Sequence, residues 1–180
     1  MKHRKSFSLS CALAVGFLFI ALQAKAEFFS ISAGIPILHS FSDSKNKPEG
    51  ISGFFLHGKL PILVGAGYEN YKTKIKSDDS QWELGTTMYD VFYLLPIPII
   101  NLTLGLGAGQ TEELICNSCS SSYDSGNAVQ WYASLGYPFL GIMDVHLNFR
   151  SVTSTIKGKS DNEDVDVSGT VTGIGASIGF

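Results

Sequence analysis

Apolar side chains recur at every second position through eight segments of this 180-residue chain. A period of two places successive side chains on opposite faces of a β-strand. In the clearest segment, Ile100, Leu102, Leu104, Leu106 and Ala108 alternate with Asn101, Thr103, Gly105, Gly107 and Gly109. The sequence therefore predicts an all-β protein whose strands have one apolar face and one small or polar face.

Polar loops alternate with short turns between the eight predicted strands. The loops are predicted at 40–50, 76–81, 111–126 and 154–164. The turns are predicted at Pro61, at Pro96-Ile97-Pro98 and at about 138–141. An even number of strands places both chain termini at one end of the sheet and the long loops at the opposite end.

The sizes of the side chains on the two faces decide which face is the interior. A soluble barrel or sandwich, such as a lipocalin, packs its apolar residues inside. Gly105, Gly107 and Gly109 are too small to fill such an interior, whereas the opposite face carries large apolar side chains. In lipid every backbone N–H and C=O must be paired, so the sheet must close. We therefore predict a closed eight-stranded antiparallel transmembrane up-and-down β-barrel with its apolar face toward lipid.

The N-terminal residues have the organisation of a cleaved export signal. A basic region at 2–5 precedes an apolar run at 11–22, and Ala24-Lys25-Ala26 matches an A-x-A cleavage site. The apolar run has 12 residues, which is too short for a membrane-spanning helix of about 20 residues. The predicted domains are a signal peptide at 1–26 and an outer-membrane barrel domain at 27–180.

Removal of the signal peptide leaves an acidic chain. Residues 1–26 hold four of the 13 basic residues and none of the 16 acidic residues, so the mature net charge is −7. An acidic domain argues against a nucleic-acid partner. We expect no cofactor, and the sequence leaves the oligomeric state open.

Two cysteines, Cys116 and Cys119, remain in the longest predicted loop. After export they meet an oxidising compartment, so a local disulfide is the simplest interpretation. A single C-x-x-C without a second pair or a nearby His is weak support for zinc, and the βαβ context of a redox motif is missing. We predict a disulfide here and no metal site.

The C-terminal segment has apolar residues at alternate positions up to a terminal Phe, namely Ile174, Ala176, Ile178 and Phe180. With its signal peptide and eight-strand layout, the chain resembles the OmpA, OmpX and OmpW class of small bacterial outer-membrane barrels. The terminal strand lacks the Tyr often seen in that class two residues before the end. The resemblance implies an outer-membrane location among lipid and lipopolysaccharide, and a terminal strand read by the barrel-assembly machinery.

The smaller face of the strands carries ionisable side chains. Eight strands leave an interior just wide enough for side chains to fill, and charges buried there must pair. We expect a structural polar network in which Arg150 or Lys59 pairs with Glu69, Asp90 or Asp144. The predicted lumen residues are His57, Lys59, Glu69, Asp90, Gln130, Asp144, His146, Asn148 and Arg150.

Three functions are compatible with these features. The favoured one is a non-catalytic outer-membrane protein for envelope integrity or surface contact. The resemblance also allows an OmpW-like narrow channel for small hydrophobic molecules. The third is lipid A modification, as in some small barrels that use His with Ser and a carboxylate. His146 and Asp144 share a face, but no Ser with the flanking motif of a known lipid A enzyme accompanies them, so no enzyme is expected.

Overall fold

A computed structural model describes residues 29–43, 46–77, 80–97, 100–117, 123–139, 142–159 and 164–180. The signal peptide predicted at 1–26 lies outside the described residues, as does Cys119 of the predicted Cys116–Cys119 disulfide. Within the described part of the chain, no helix is long and apolar enough to cross a membrane.

Ten β-strands are formed by the described residues. Eight are long: β1 (Ser30–Phe41), β2 (Lys47–Lys59), β3 (Val64–Ser77), β4 (Ser80–Ile97), β5 (Ile100–Asn117), β7 (Gly126–Phe139), β8 (Met143–Gly158) and β10 (Gly169–Gly179). The short strands β6 (Tyr123–Asp124) and β9 (Asp164–Asp166) pair with the far end of β8.

The eight long strands form one closed antiparallel barrel. Each pairs with its neighbours in chain order, and β10 closes the sheet against β1, with Ser30 opposite Gly179 and Phe41 opposite Gly169. Every long strand pairs on both sides, as strands that cross lipid require, although β1 and β2 pair with each other only between Ser30–Gly34 and Phe55–Lys59. The predicted eight-stranded barrel is confirmed.

The outer surface around the middle of the barrel is apolar. Leu106 on β5 and Leu147 on β8 are 65% and 57% exposed, whereas Asn148 and Arg150 point inward and are buried. The outward apolar residues form a belt suited to hydrocarbon, as predicted. The four C-terminal apolar positions, Ile174, Ala176, Ile178 and Phe180, also face outward.

The strands extend well past their predicted ends, so the predicted loops were too long. β5 continues to Asn117 and β8 to Gly158, which removes much of the loops predicted at 111–126 and 154–164. The predicted loops at 40–50 and 76–81 shrink in the same way, because β1 to β4 extend into them. The final predicted strand is also divided into β9 and β10.

These strand extensions were predicted as loops because the pattern reverses beyond the belt. There the inner face of the strands is apolar and the outer face is polar. In β8, Ile156 points inward and is buried, while Thr155 and Lys157 point outward. The polar outer face of such a strand meets water instead of lipid. The expectation that the inner face is small and polar throughout is therefore wrong for this end of the barrel.

Two buried apolar clusters fill the loop end of the barrel. One contains Tyr71, Met88, Ala128, Val152 and Val171. The other contains Phe41, Ile75, Leu84, Ile156 and Val167. A register shift in β1 between Pro36 and Leu38 brings Phe41 to the inner face.

Candidate functional site in the barrel lumen

An ion pair between Arg150 on β8 and Glu69 on β3 crosses the middle of the lumen. Both side chains are fully buried. Arg150 Nε lies 2.8 Å from each oxygen of the Glu69 carboxylate, and Nη2 lies 2.8 Å from Oε1. Because β3 and β8 are not neighbours in the sheet, this charge-assisted contact ties distant parts of the barrel wall together.

Three further polar side chains join this pair. Gln130 Nε2 donates to Glu69 Oε2 at 3.1 Å and to Asp90 Oδ1 at 2.7 Å. His57 Nε2 lies 3.2 Å from Glu69 Oε1 and 3.7 Å from Asp90 Oδ2. We call His57, Glu69, Asp90, Gln130 and Arg150 the central cluster.

Aromatic rings pack against the central cluster. The guanidinium carbon of Arg150 lies 3.6 Å from the ring centroid of Phe55 and 5.5 Å from that of Tyr132. The His57 ring stacks on Tyr132 with centroids 5.6 Å apart and meets Phe92 edge-on at 5.7 Å. Rings and charged groups together fill the cross-section of the lumen.

Metal-ligating atoms also meet in the central cluster. Ligand atoms of His57, Glu69 and Asp90 lie within 4.8 Å of one another. However, the positive guanidinium of Arg150 already contacts both Glu69 oxygens at 2.8 Å. A metal ion there would face that positive charge at close range, so the chemistry of the cluster is that of a charge-neutralising network.

At the short-turn end, the lumen contains a cavity of about 60 Å³, which we call the vestibule. Phe92 and Tyr132 line it, as they also line the central cluster. The short turns of outer-membrane barrels face the periplasm. The polar lining includes Ser32, Asn101, Asp144, His146, Asn148 and Ser177.

Side chains from β1 and β8 form a hydrogen-bonded chain in the vestibule. Ser32 Oγ lies 3.1 Å from His146 Nε2, and His146 Nδ1 lies 3.1 Å from Asp144 Oδ1. Asn101 Nδ2 donates to Asp144 Oδ2 at 2.7 Å, and Ser177 also bonds this carboxylate. When Nδ1–H donates to Asp144, Nε2 is left to accept the Ser32 hydroxyl proton.

Glycines in the wall provide the space for this chain. A Cβ on Gly175 would lie 2.4 Å from His146 Nε2, and one on Gly136 would lie 2.7 Å from Asp144 Oδ2. Both distances are too short for a side chain to be accepted without movement of the imidazole or the carboxylate. The two glycines therefore set the positions of His146 and Asp144.

The structure places the predicted lumen residues in two groups. His57, Glu69, Asp90, Gln130 and Arg150 form the central cluster, and Lys59, Asp144, His146 and Asn148 line the vestibule. Ser32 is not predicted from the sequence as a partner of His146, because the two residues are 114 positions apart. They approach only because β10 pairs with both β1 and β8, which aligns Ser32, Ser177 and Asp144 across the wall.

The fold is similar to that of solved outer-membrane proteins. Neisserial surface protein A superimposes with a TM-score of 0.65 at 12% identity, covering 84% of this chain and 96% of that one. The outer membrane protein OprG from Pseudomonas aeruginosa gives 0.54 at 13% identity, covering 88% and 98%. No protein-family model and no curated protein matches the sequence. This chain therefore has the fold of small outer-membrane barrels, and its apolar belt suits that membrane.

Proposed function

We propose that this outer-membrane β-barrel is a closed, non-conducting protein that serves envelope integrity and contact at the cell surface. The central cluster carries this proposal. Arg150 and Glu69 are fully buried in the middle of the lumen, and aromatic rings pack around them. Moving ions would have to break that pair and leave buried charges without partners, which is costly.

The loop end of the barrel gives a second reason to expect no conduction. Tyr71, Met88 and Val171 are at most 1% exposed, and Ile75 and Ile156 lie in the next apolar cluster. These layers lie between the central cluster and the loops. A hydrated ion would have to displace these packed side chains in order to pass.

A narrow passage for small hydrophobic molecules is less well supported. Such a solute needs an opening in the lumen or in the wall. One strip of small residues in the wall contains Gly105, Gly107 and Gly109, yet Gly105 pairs with Phe92 on β4 and with Tyr132 on β7 in continuous register. The wall is therefore hydrogen-bonded past this strip.

Lipid A modification is also less well supported. Such an enzyme needs its reacting groups near the outer leaflet and facing lipid. His146 and Asp144 instead line the vestibule, at the end opposite the loops. Their position does not suit chemistry on lipid A.

A column of lysines supports the proposed surface role. Lys72, Lys74 and Lys76 face outward on β3 beyond the apolar belt, and Lys47 on β2 pairs with Lys76 in the ladder. Glu83 and Glu49 lie 3.7 and 3.5 Å from Lys72 and Lys76, so they offset part of the charge. We infer that this column contacts the phosphate groups of lipopolysaccharide, since Lys binds phosphate as a point charge.

Planar-bilayer recording tests the closed lumen. We expect no unitary conductance from the wild type. Glu69→Ala/Arg150→Ala combined with Tyr71→Ala/Ile156→Ala should conduct, because it removes side chains from both the central cluster and the apolar layers at the loop end, whereas Lys72→Ala should behave as the wild type. Steady conductance of the wild type, or its uptake of a small apolar solute into liposomes, would contradict the proposal.

Lipopolysaccharide binding tests the surface role. Lys72→Glu/Lys74→Glu should weaken binding about tenfold or more, because each cation near an anionic surface contributes about 1 kcal/mol. Lys157→Glu, on the outer face of β8, is the matched control. Equal weakening in the control, or none in the double variant, would exclude the lysine column as the contact.

A further inference from the structure

We propose that the vestibule is a catalytic site that hydrolyses short-chain carboxylic esters, with Ser32 as the nucleophile. The hydroxyl of Ser32, the imidazole of His146 and the carboxylate of Asp144 follow one another at 3.1 Å and 3.1 Å. This is the order of nucleophile, general base and orienting acid required for acyl transfer. The proposal is independent of whether the lumen conducts.

Asp144, which orients the His146 ring, is itself held by hydrogen bonds. The Asp144 carboxylate accepts a hydrogen bond from Asn101 at 2.7 Å and is also hydrogen-bonded to Ser177. These bonds fix the orientation of the carboxylate that contacts His146. His146 is itself buried, which restricts its ring further. A base held in this way keeps Nε2 directed at Ser32, which is what proton removal from the nucleophile requires.

The cavity also contains a hydrogen-bond donor that a substrate could use. Asn148 lines the vestibule and is 2% exposed, and its Nδ2 has no hydrogen-bond partner among the described residues. An amide N–H left without a partner in a buried position is costly. A polar acceptor on a bound ester would satisfy it, so we assign Asn148 Nδ2 as a hydrogen-bond donor to the substrate in this cavity.

The proposed reaction needs only the ester and water. Ser32 Oγ attacks the ester carbonyl as its proton passes to His146 Nε2, and a tetrahedral oxyanion forms. Collapse breaks the bond to the alcohol, which leaves with the proton from His146, and the acyl group remains on Ser32. Water then attacks the acyl-Ser32 ester with His146 again as base, releasing the carboxylic acid and restoring the hydroxyl.

The size and position of the cavity define the substrate class. A volume of about 60 Å³ holds about four water molecules, which is room for an acetyl-sized group. Longer acyl chains would meet Phe92, Tyr132 and the central cluster. The cavity lies at the short-turn end, so we expect an acetyl-type ester of a periplasmic alcohol whose larger part stays outside the barrel.

Covalent labelling tests the nucleophile in the wild-type protein. The folded barrel in detergent is treated with a small fluorophosphonate carrying methyl and ethyl groups, and the modified residue is located by peptide mass spectrometry. We expect phosphonylation of Ser32, which needs the neighbouring base. Absence of label on Ser32 in protein that shows the heat-modifiable gel shift of a folded barrel would overturn the proposal.

Hydrolysis of p-nitrophenyl acetate tests the whole group. Ser32→Ala and His146→Gln should each lower kcat/KM by roughly 10²–10⁴-fold, the range associated with general-base assistance. Ser151→Ala, on the outward face of β8, should leave it unchanged. The decanoate ester should be a far poorer substrate. Retained hydrolysis in both folded vestibule variants would overturn the proposal, as would equal rates for the two esters.

Discussion

Arg150 and Glu69 lie 81 positions apart in the chain and meet at 2.8 Å in the centre of the barrel, where both are fully buried. The contact joins β8 to β3 across the interior. Neither charge has access to bulk water, so each depends on the other for its solvation. The central cluster is thus a strong internal restraint on the barrel, and its loss has measurable consequences.

Removing one member of this pair should destabilise the barrel strongly. Arg150→Met leaves the Glu69 carboxylate buried without its main partner, and breaking such a pair costs about 3–5 kcal/mol. Urea unfolding in detergent, followed by tryptophan fluorescence, measures the loss. Arg150→Met/Glu69→Met should recover much of it, since no charge is then stranded. If Arg150→Met alone were as stable as Lys72→Met, the Arg150–Glu69 pair would not be a restraint on the barrel.

A charge on the belt should be costly, whereas the same charge further along the strand should not. Leu147 and Thr155 both face outward on β8, the first in the belt and the second beyond it. Leu147→Arg should lower the unfolding free energy in lipid vesicles by about 2–4 kcal/mol, as for a cation near the bilayer centre. Thr155→Arg should change it by about 0–1 kcal/mol. Similar losses in both variants would contradict the assignment of the belt.

The loop end of the barrel should lose stability when a large side chain in its apolar cluster is shortened. Ile156 is fully buried in that cluster, and Ile→Ala in a core costs about 2–5 kcal/mol. For Ile156→Ala we expect faster amide exchange at the loop ends of β3, β4 and β8 and unchanged exchange at Val145 to Phe149. Thr155→Ala is the outward-facing control. Uniformly faster amide exchange along β8 would mean that the loop end and the belt segment of this strand unfold together.

Asp166 on β9 should titrate below its usual range. The hydroxyl and the amide of Ser168 bond its carboxylate, the amide nitrogen at 2.8 Å from Oδ1, and these bonds lower the pKa of Asp166. A lowered folded pKa means that the contact stabilises the loop above about pH 4 and is lost as pH falls through the folded value. An NMR titration of the Ser168 amide reads this pKa directly. In Ser168→Ala it should move back toward 3.8, and an unchanged value would exclude the hydroxyl as a cause.

The barrel and its orientation could be predicted because the belt segments have an unmistakable composition. Leu104 and Leu106 alternate with glycines that cannot fill a core, so the outward direction follows from size alone. The ends of the strands could not be found in this way. Ser154 to Gly158 on β8 has the composition of a loop, since a strand surrounded by water has a polar outer face.

The contents of the lumen could be predicted only in part. The alternation showed which side chains point inward, but their partners depend on the barrel's registers. Ser32 and His146 meet because β10 pairs with both β1 and β8, and the bulge after Pro36 moves Phe41 inward. Neither register leaves a local signal in the sequence.

A nitroxide scan along β8 from Val145 to Lys157 tests the central claim most directly. With Cys116 and Cys119 replaced by Ser, each position is labelled in lipid vesicles, and its collisions with oxygen and with a water-soluble nickel complex are measured. We predict contact with oxygen at Val145, Leu147 and Phe149 and contact with nickel at Thr153 and Thr155. The inward-facing, even-numbered positions from 146 to 156 should be protected from both reagents. Oxygen contact at the inner positions, with Leu147 and Phe149 shielded, would contradict the barrel's orientation.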